Sequence, residues 1–171
     1  MLIKFPMLPN FALIIALLAV PVLADPSSID GLPASVSGAY ALEEWHTDAG
    51  TLKPPQVQGR FLLMGGTVAT VLINNAQADK KTTIVLFGTY VWDGTHFAYE
   101  YQDTSLFLET PSGVTVEHRA PWEGMRSFAI QKTAGTVRLR ADSGQEFVFT
   151  NSGVTYTDGK TVRVYRRISV Q

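Results

Sequence analysis

Glu44 and His46 stand two residues apart near the end of an alternating stretch, Ser37 to Thr47. On a strand, that spacing points both side chains the same way. A carboxylate beside an imidazole raises the imidazole pKa and can make it a general base. If this face lines an interior, Glu44 and His46 are candidate catalytic groups at one mouth of it. If it does not, they are solvated residues where the strand leaves the core.

The rest of the sequence narrows the chemistry further. There is no cysteine, so thiol catalysis is excluded. His46, His96 and His118 are the only histidines. They could form a zinc site only if the fold gathered them with a carboxylate, and the spacing instead suggests strand-end or surface positions. No phosphate loop, nucleophile elbow or metalloprotease helix motif is present. Neither a metal nor a cofactor is expected.

A binding pocket would draw on Tyr40, Leu42, Phe97, Tyr99, Phe147, Phe149 and Tyr156. Arg126 and Arg166 are natural partners for a ligand carboxylate or a tyrosine face. The competing reading is plain core packing, with the arginines closing a barrel end.

These side chains need strands to position them. Ser37–Thr47 alternates Val36, Gly38, Tyr40, Leu42, Glu44 and His46 against Ser37, Ala39, Ala41, Glu43 and Trp45. Residues 48–58 read as a loop, with Asp-Ala-Gly and Lys-Pro-Pro. Gly65-Gly66 joins two strand-like runs, 59–64 and 67–74, in a tight hairpin. Residues 75–81 read as a polar loop. Residues 82–92 turn at Asp93-Gly94 into 95–102, where Phe97, Tyr99 and Tyr101 share a face. Residues 103–113 read as a wide connection, 114–119 as a short strand, and 120–124 as a turn.

Beyond Met125, three-residue turns end at Gly135, Gly144 and Gly153, nine residues apart, and Asp158-Gly159 follows. Each final glycine is expected in the left-handed conformation. In the last strand Val162 and Val164 read as the dry face, against Arg163 and Tyr165. Short hairpins throughout predict an all-β antiparallel up-and-down barrel of roughly 8–10 strands, with no amphipathic helix.

Composition sets the compartment and the partner class. Lys4, the apolar run 11–22 and Val22-Leu23-Ala24 read as a secretory signal peptide over residues 1–24, cleaved after Ala24. The apolar run is short for a membrane span. Residues 25–36 form a lead-in, and 37–171 form one domain. A secreted or periplasmic protein without a membrane span is expected. The formal net charge of the 171-residue chain is −1, which gives no footprint for nucleic acid. Residues 25–118 carry 11 acidic and 4 basic side chains, whereas 119–171 carry 4 and 9. The second half could thus present a basic rim to an anion.

The order of motifs resembles the lipocalin-like domain proteins of bacteria and fungi, in the wider calycin group. It spans about Ser37 to Ile168. Gly38-Ala39-Tyr40 stands where lipocalins place Gly-x-Trp. The hairpin from Gly59-Arg60-Phe61 to Gly66 follows, then Phe87-Gly88-Thr89-Tyr90 with Asp93-Gly94. Trp122-Glu123-Gly124 with Arg126 comes next, and Val164-Tyr165-Arg166-Arg167-Ile168 ends the pattern. Tyr40 replaces the usual tryptophan, and the stretch between Gly124 and Arg126 is shorter than in the family. The resemblance implies a barrel with a central cavity and an arginine of the last strand packed near the first-strand aromatic. Strand parity leaves open whether this is Arg166 or Arg167.

The favoured function is binding of a small, largely apolar molecule in the barrel. One alternative is a small barrel enzyme, of cyclase or isomerase type, using Glu44, His46 or a tyrosine as acid or base. Another is an envelope protein-interaction module using loop tips such as 48–58. No particular protein partner is indicated.

Overall fold

In the computed structural model, residues 31–168 are described. The expected signal peptide lies outside the described residues, as does the first part of the lead-in. Twelve strands follow one another: β1 (Gly38–Thr47), β2 (Gly50–Leu52), β3 (Val57–Met64), β4 (Thr67–Gln77), β5 (Lys80–Trp92) and β6 (His96–Thr110), then β7 (Gly113–Arg119), β8 (Arg126–Thr133), β9 (Thr136–Arg140), β10 (Glu146–Thr150), β11 (Gly153–Asp158) and β12 (Thr161–Ile168).

Every strand pairing is antiparallel, and the order β12-β11-β10-β9-β8-β6-β5-β4-β3-β1 is closed by a β12–β1 pairing. Ten strands therefore form an up-and-down barrel without free lateral edges in its circuit. β2 pairs with β1 and β7 with β6, both outside that circuit.

Three expected loops differ from the structure. Residues 48–58 contain β2. Residues 75–81 are mostly strand, turning tightly at Ala78-Asp79. The expected wide connection 103–113 is the upper half of β6 and the start of β7. Here Leu106-Phe107-Leu108 outweighs the turn signal of the flanking polar residues, because β5 offers a full ladder of partners from Lys81 to Phe87. β6 changes neighbours along its length. Residues His96–Tyr99 pair with β8, whereas Thr104–Thr110 pair with β7.

Alternation brings Phe61, Leu63, Val68, Leu72, Phe97, Tyr99, Tyr101, Val137, Leu139, Phe147 and Phe149 inward. One end of the barrel is plugged. Leu32 and Val36 of the lead-in are fully buried there with Tyr40. The Tyr40 hydroxyl donates to the Val36 carbonyl at 2.6 Å.

Arg167 seals the same end. It donates to the Ser37 carbonyl at 2.7 Å, to the Ser35 carbonyl, and to the Tyr40 hydroxyl at 2.8 Å. A side chain at position 38 would meet this guanidinium, since a Cβ on Gly38 would lie 2.8 Å from Arg167 Nη1. Of the two arginines left open by the sequence, Arg167 is thus the one on the first-strand aromatic. Arg166 points outward and pairs with Glu43 at 2.8 Å.

Gly153 departs from the turn pattern. Its φ is not positive. It opens β11, and a Cβ there would lie 2.0 Å from the Tyr165 carbonyl oxygen. Glycine is needed here for close approach of two strands, not for a left-handed turn. Gly135, Gly144 and Gly159 do take positive φ values of 75°, 87° and 58°.

Candidate functional site

Above the plug, the barrel interior opens into a cavity of about 140 Å³. Phe61, Leu86, Phe147 and Val154 supply an apolar wall. Tyr99, Tyr101, Tyr156, Tyr165 and Thr70 add hydroxyls, and Trp122, Arg126 and Arg163 complete the lining. The strand period explains the set. Tyr99 and Tyr101 follow Phe97 at spacing two on β6, and Phe147 faces Tyr156 across the β10–β11 pair.

Trp122 lies over this interior from the β7–β8 connection. Its backbone N–H donates to the Tyr101 carbonyl at 3.0 Å. Its ring meets Tyr101 edge-on at 4.9 Å and Tyr99 at 5.5 Å. The Arg126 guanidinium lies 3.7 Å from the Trp122 ring centre, so the turn carries both an aromatic lid and a cation.

Burial pushes the Tyr101 and Tyr156 phenols up to about 12. It also drives the Tyr99 and Tyr165 phenols well above the ordinary value. All four are neutral hydroxyls at ordinary pH, able to donate as well as accept. Tyr101 exchanges a hydrogen bond with Thr70 at 2.7 Å. At the rim, the Tyr156 hydroxyl donates to Asp158 at 3.3 Å, and Gln145 donates to the same carboxylate at 3.1 Å.

Arg163 is positioned by the sheet. It pairs with Trp45 on one side and Tyr156 on the other. Its guanidinium carbon lies 4.7 Å from the Trp45 ring and 5.6 Å from the Tyr156 ring. Its charge opposes the burial effect on Tyr165 and also hydrogen-bonds that phenol. Among the described residues, no carboxylate stands within salt-bridge distance of Arg163 or Arg126. Arg163 Nε and Trp45 Nε1 are buried without a protein hydrogen-bond partner. Each such orphan donor costs about 1–3 kcal/mol.

Glu44 and His46 take the solvated alternative, and they do not share a face with Tyr40 and Leu42. The β1–β12 register is Leu42 with Tyr165, then Glu44 with Val164, so Glu43 is a bulge residue. Beyond it the parity inverts. Trp45, paired with Arg163, turns inward, while Glu44 and His46 turn outward with Val164 and Val162. Outside, Glu44 binds His46 at 3.0 Å and Lys53 at 2.6 Å, and His46 Nδ1 meets Thr51 at 2.9 Å. The Lys53 hydrogen bond is the main cause holding the Glu44 carboxyl below its ordinary pKa.

Of the residues proposed for binding, Tyr99, Arg126 and Phe147 line the cavity. Tyr40, Leu42, Phe97 and Phe149 are buried in the packed interior and do not reach it. Arg166 is outside. Tyr156, from the wider aromatic pool, also lines the cavity. Sequence reasoning missed Trp122, Tyr165 and above all Arg163, which the alternation had assigned to the wet face. The available signal was the Arg163–Tyr165–Arg167 alternation itself. Long amphipathic side chains can fill an interior as readily as cover a surface.

The histidines are not gathered. His96 lies beside Asp93, and His118 on β7 meets Ser105 at 3.0 Å. No group of three potential metal ligands occurs among the described residues. No helix among them is long and apolar enough to cross a membrane. The chain matches no protein-family model, no curated protein and no solved structure.

Proposed function

We propose that this chain is a lipocalin-like carrier, exported by its leader to the periplasm or cell exterior, that holds one small, largely apolar molecule in its barrel. The observation that supports it best is the aromatic cavity beneath Trp122, on a barrel plugged at its other end by Leu32, Val36 and Tyr40. Such a site works by removing apolar ligand surface from water in a preformed pocket. A few fixed polar groups set the orientation.

The volume limits the ligand. A cavity of about 140 Å³ takes about ten non-hydrogen atoms, since one water-sized particle needs about 10–15 Å³ of such space. This suits a single aromatic ring with a short substituent better than a long acyl chain.

The enzyme alternative loses its Glu44–His46 pair from the interior, because the Glu43 bulge turns both outward. Native mass spectrometry of protein purified from its own host tests the carrier reading. A non-covalent adduct that is lost on unfolding supports it. Bare protein that also fails to take up small aromatic compounds counts against it.

A further inference from the structure

The cavity is apolar on most of its wall, yet it contains an arginine that the fold does not neutralise. Arg163 pairs across the sheet with Trp45 and Tyr156, and its guanidinium carbon lies 4.7 Å from the Trp45 ring and 5.6 Å from the Tyr156 ring. Its Nε has no protein acceptor, and neither has the neighbouring indole N–H of Trp45. Arg163 lines the cavity and Trp45 does not, so it is the remaining N–H groups of the arginine that can meet a guest. Arg126 brings a second guanidinium to the mouth, above Trp122.

The counter-charge is incomplete. Asp158 is the rim carboxylate, and it already accepts from Gln145 and Tyr156. Arg126 and Arg163 line the cavity, whereas Asp158 does not. Arg163 is half-buried, so its charge is screened less than that of a fully solvated side chain and can attract an anion.

We infer that the ligand is a small aromatic monocarboxylic acid, whose carboxylate is held by Arg163 with help from Arg126 and whose ring packs against Phe61 and Phe147. This rests on the carrier reading and specifies its ligand. The planar guanidinium fork matches a carboxylate. The aromatic wall and the space for about ten non-hydrogen atoms suit the remainder of such a molecule.

The test is calorimetric titration of the purified protein with phenylacetate and with phenylacetamide, which has nearly the same shape but no charge. The unmutated protein should bind phenylacetate about tenfold tighter or more, as expected for a charge-assisted hydrogen bond over a neutral one. Arg163→Met should bring the two affinities to within about twofold of each other, with phenylacetamide binding retained. Equal binding of both compounds by the unmutated protein would overturn the anion site and leave the carrier reading standing. Failure of both to bind would overturn the two together. Persistence of the preference in Arg163→Met would remove Arg163 from the role. The unmutated comparison decides the matter even if the variant does not fold.

Discussion

Trp45 and Glu44 are neighbours in the chain but stand on opposite sides of the barrel wall. Strand alternation separates them, and the Glu43 bulge decides that the indole is the one inside. It lets the indole stack on Arg163 inside, at 4.7 Å, while the carboxylate pairs with His46 and Lys53 outside. The feature that sets the inner face of β1 is therefore a register shift, and each expectation for ligand binding depends on it.

Replacing Glu44 by Gln or His46 by Ala should leave the affinity for a cavity ligand within about twofold of the unmutated value. The melting temperature should scarcely move, because the pair is solvent-screened. Side-by-side calorimetric titrations check this. A large loss of affinity in either variant would mean that the outer pair communicates with the cavity.

Arg167 and Arg166 are adjacent but should differ sharply. Arg167→Met strands the Ser35 and Ser37 carbonyls at the plugged end and should cost about 2–4 kcal/mol. Arg166→Met loses only an exposed pair with Glu43, worth about 0–1 kcal/mol. Urea unfolding measures both. Equal losses would contradict the assignment of Arg167 as the sealing residue.

The interior phenols should resist ionisation. Burial raises Tyr40, Tyr101 and Tyr156 to about 12 and lifts Tyr99 and Tyr165 well above the ordinary value. In the unfolded chain these groups ionise near about 10. The folded state holds the neutral form, so this contribution to stability is complete below about 10. It declines above that and is lost as the folded values near 12 are passed. Ultraviolet titration should show these phenols ionising only in step with unfolding. Early ionisation of most of them near 10 would mean that the interior is wet.

The β5–β6 turn carries the opposite dependence. Asp93 accepts from the His96 and Thr95 backbone N–H groups and from the Thr95 hydroxyl, which hold its carboxyl at about 2 against an ordinary value of 3.8. A lowered carboxylate pKa stabilises the fold above its unfolded value and is lost as pH falls through the folded one. Asp93→Asn should therefore flatten the decline in melting temperature between about pH 4 and 2. An unchanged acid profile would contradict this.

Much of the architecture was legible in the residues. Gly65-Gly66, with φ of 60° and 76°, makes the expected hairpin, and Val137 and Leu139 face inward as their alternation with arginines requires. Phe97, Tyr99 and Tyr101 share the inner face because the β6 irregularity falls only beyond Tyr101. What was not legible lay where periodicity is broken or ambiguous. A single bulge residue inverts a strand face without leaving a compositional mark, so alternation alone grouped Glu44 and His46 with Tyr40 and Leu42 and left open whether they were interior or solvated; they are solvated. On β12, Tyr165 is buried, Arg163 lines the cavity and Arg167 seals the plugged end, so the inner face is the one with the larger, partly polar side chains. The cavity was legible in outline through Tyr99, Phe147 and Arg126, but Arg163 in its wall was not.

The central claim is that a small aromatic acid sits inside this barrel with its carboxylate on Arg163. Crystals soaked in 4-bromophenylacetate give the most direct measurement, because anomalous scattering locates the bromine independently of any fitted ligand. The account predicts a bromine peak among Phe61, Tyr99 and Phe147, with the carboxylate within hydrogen-bond reach of Arg163. A protein with no peak in the cavity, or with the bromine bound only on its outer surface, would contradict it.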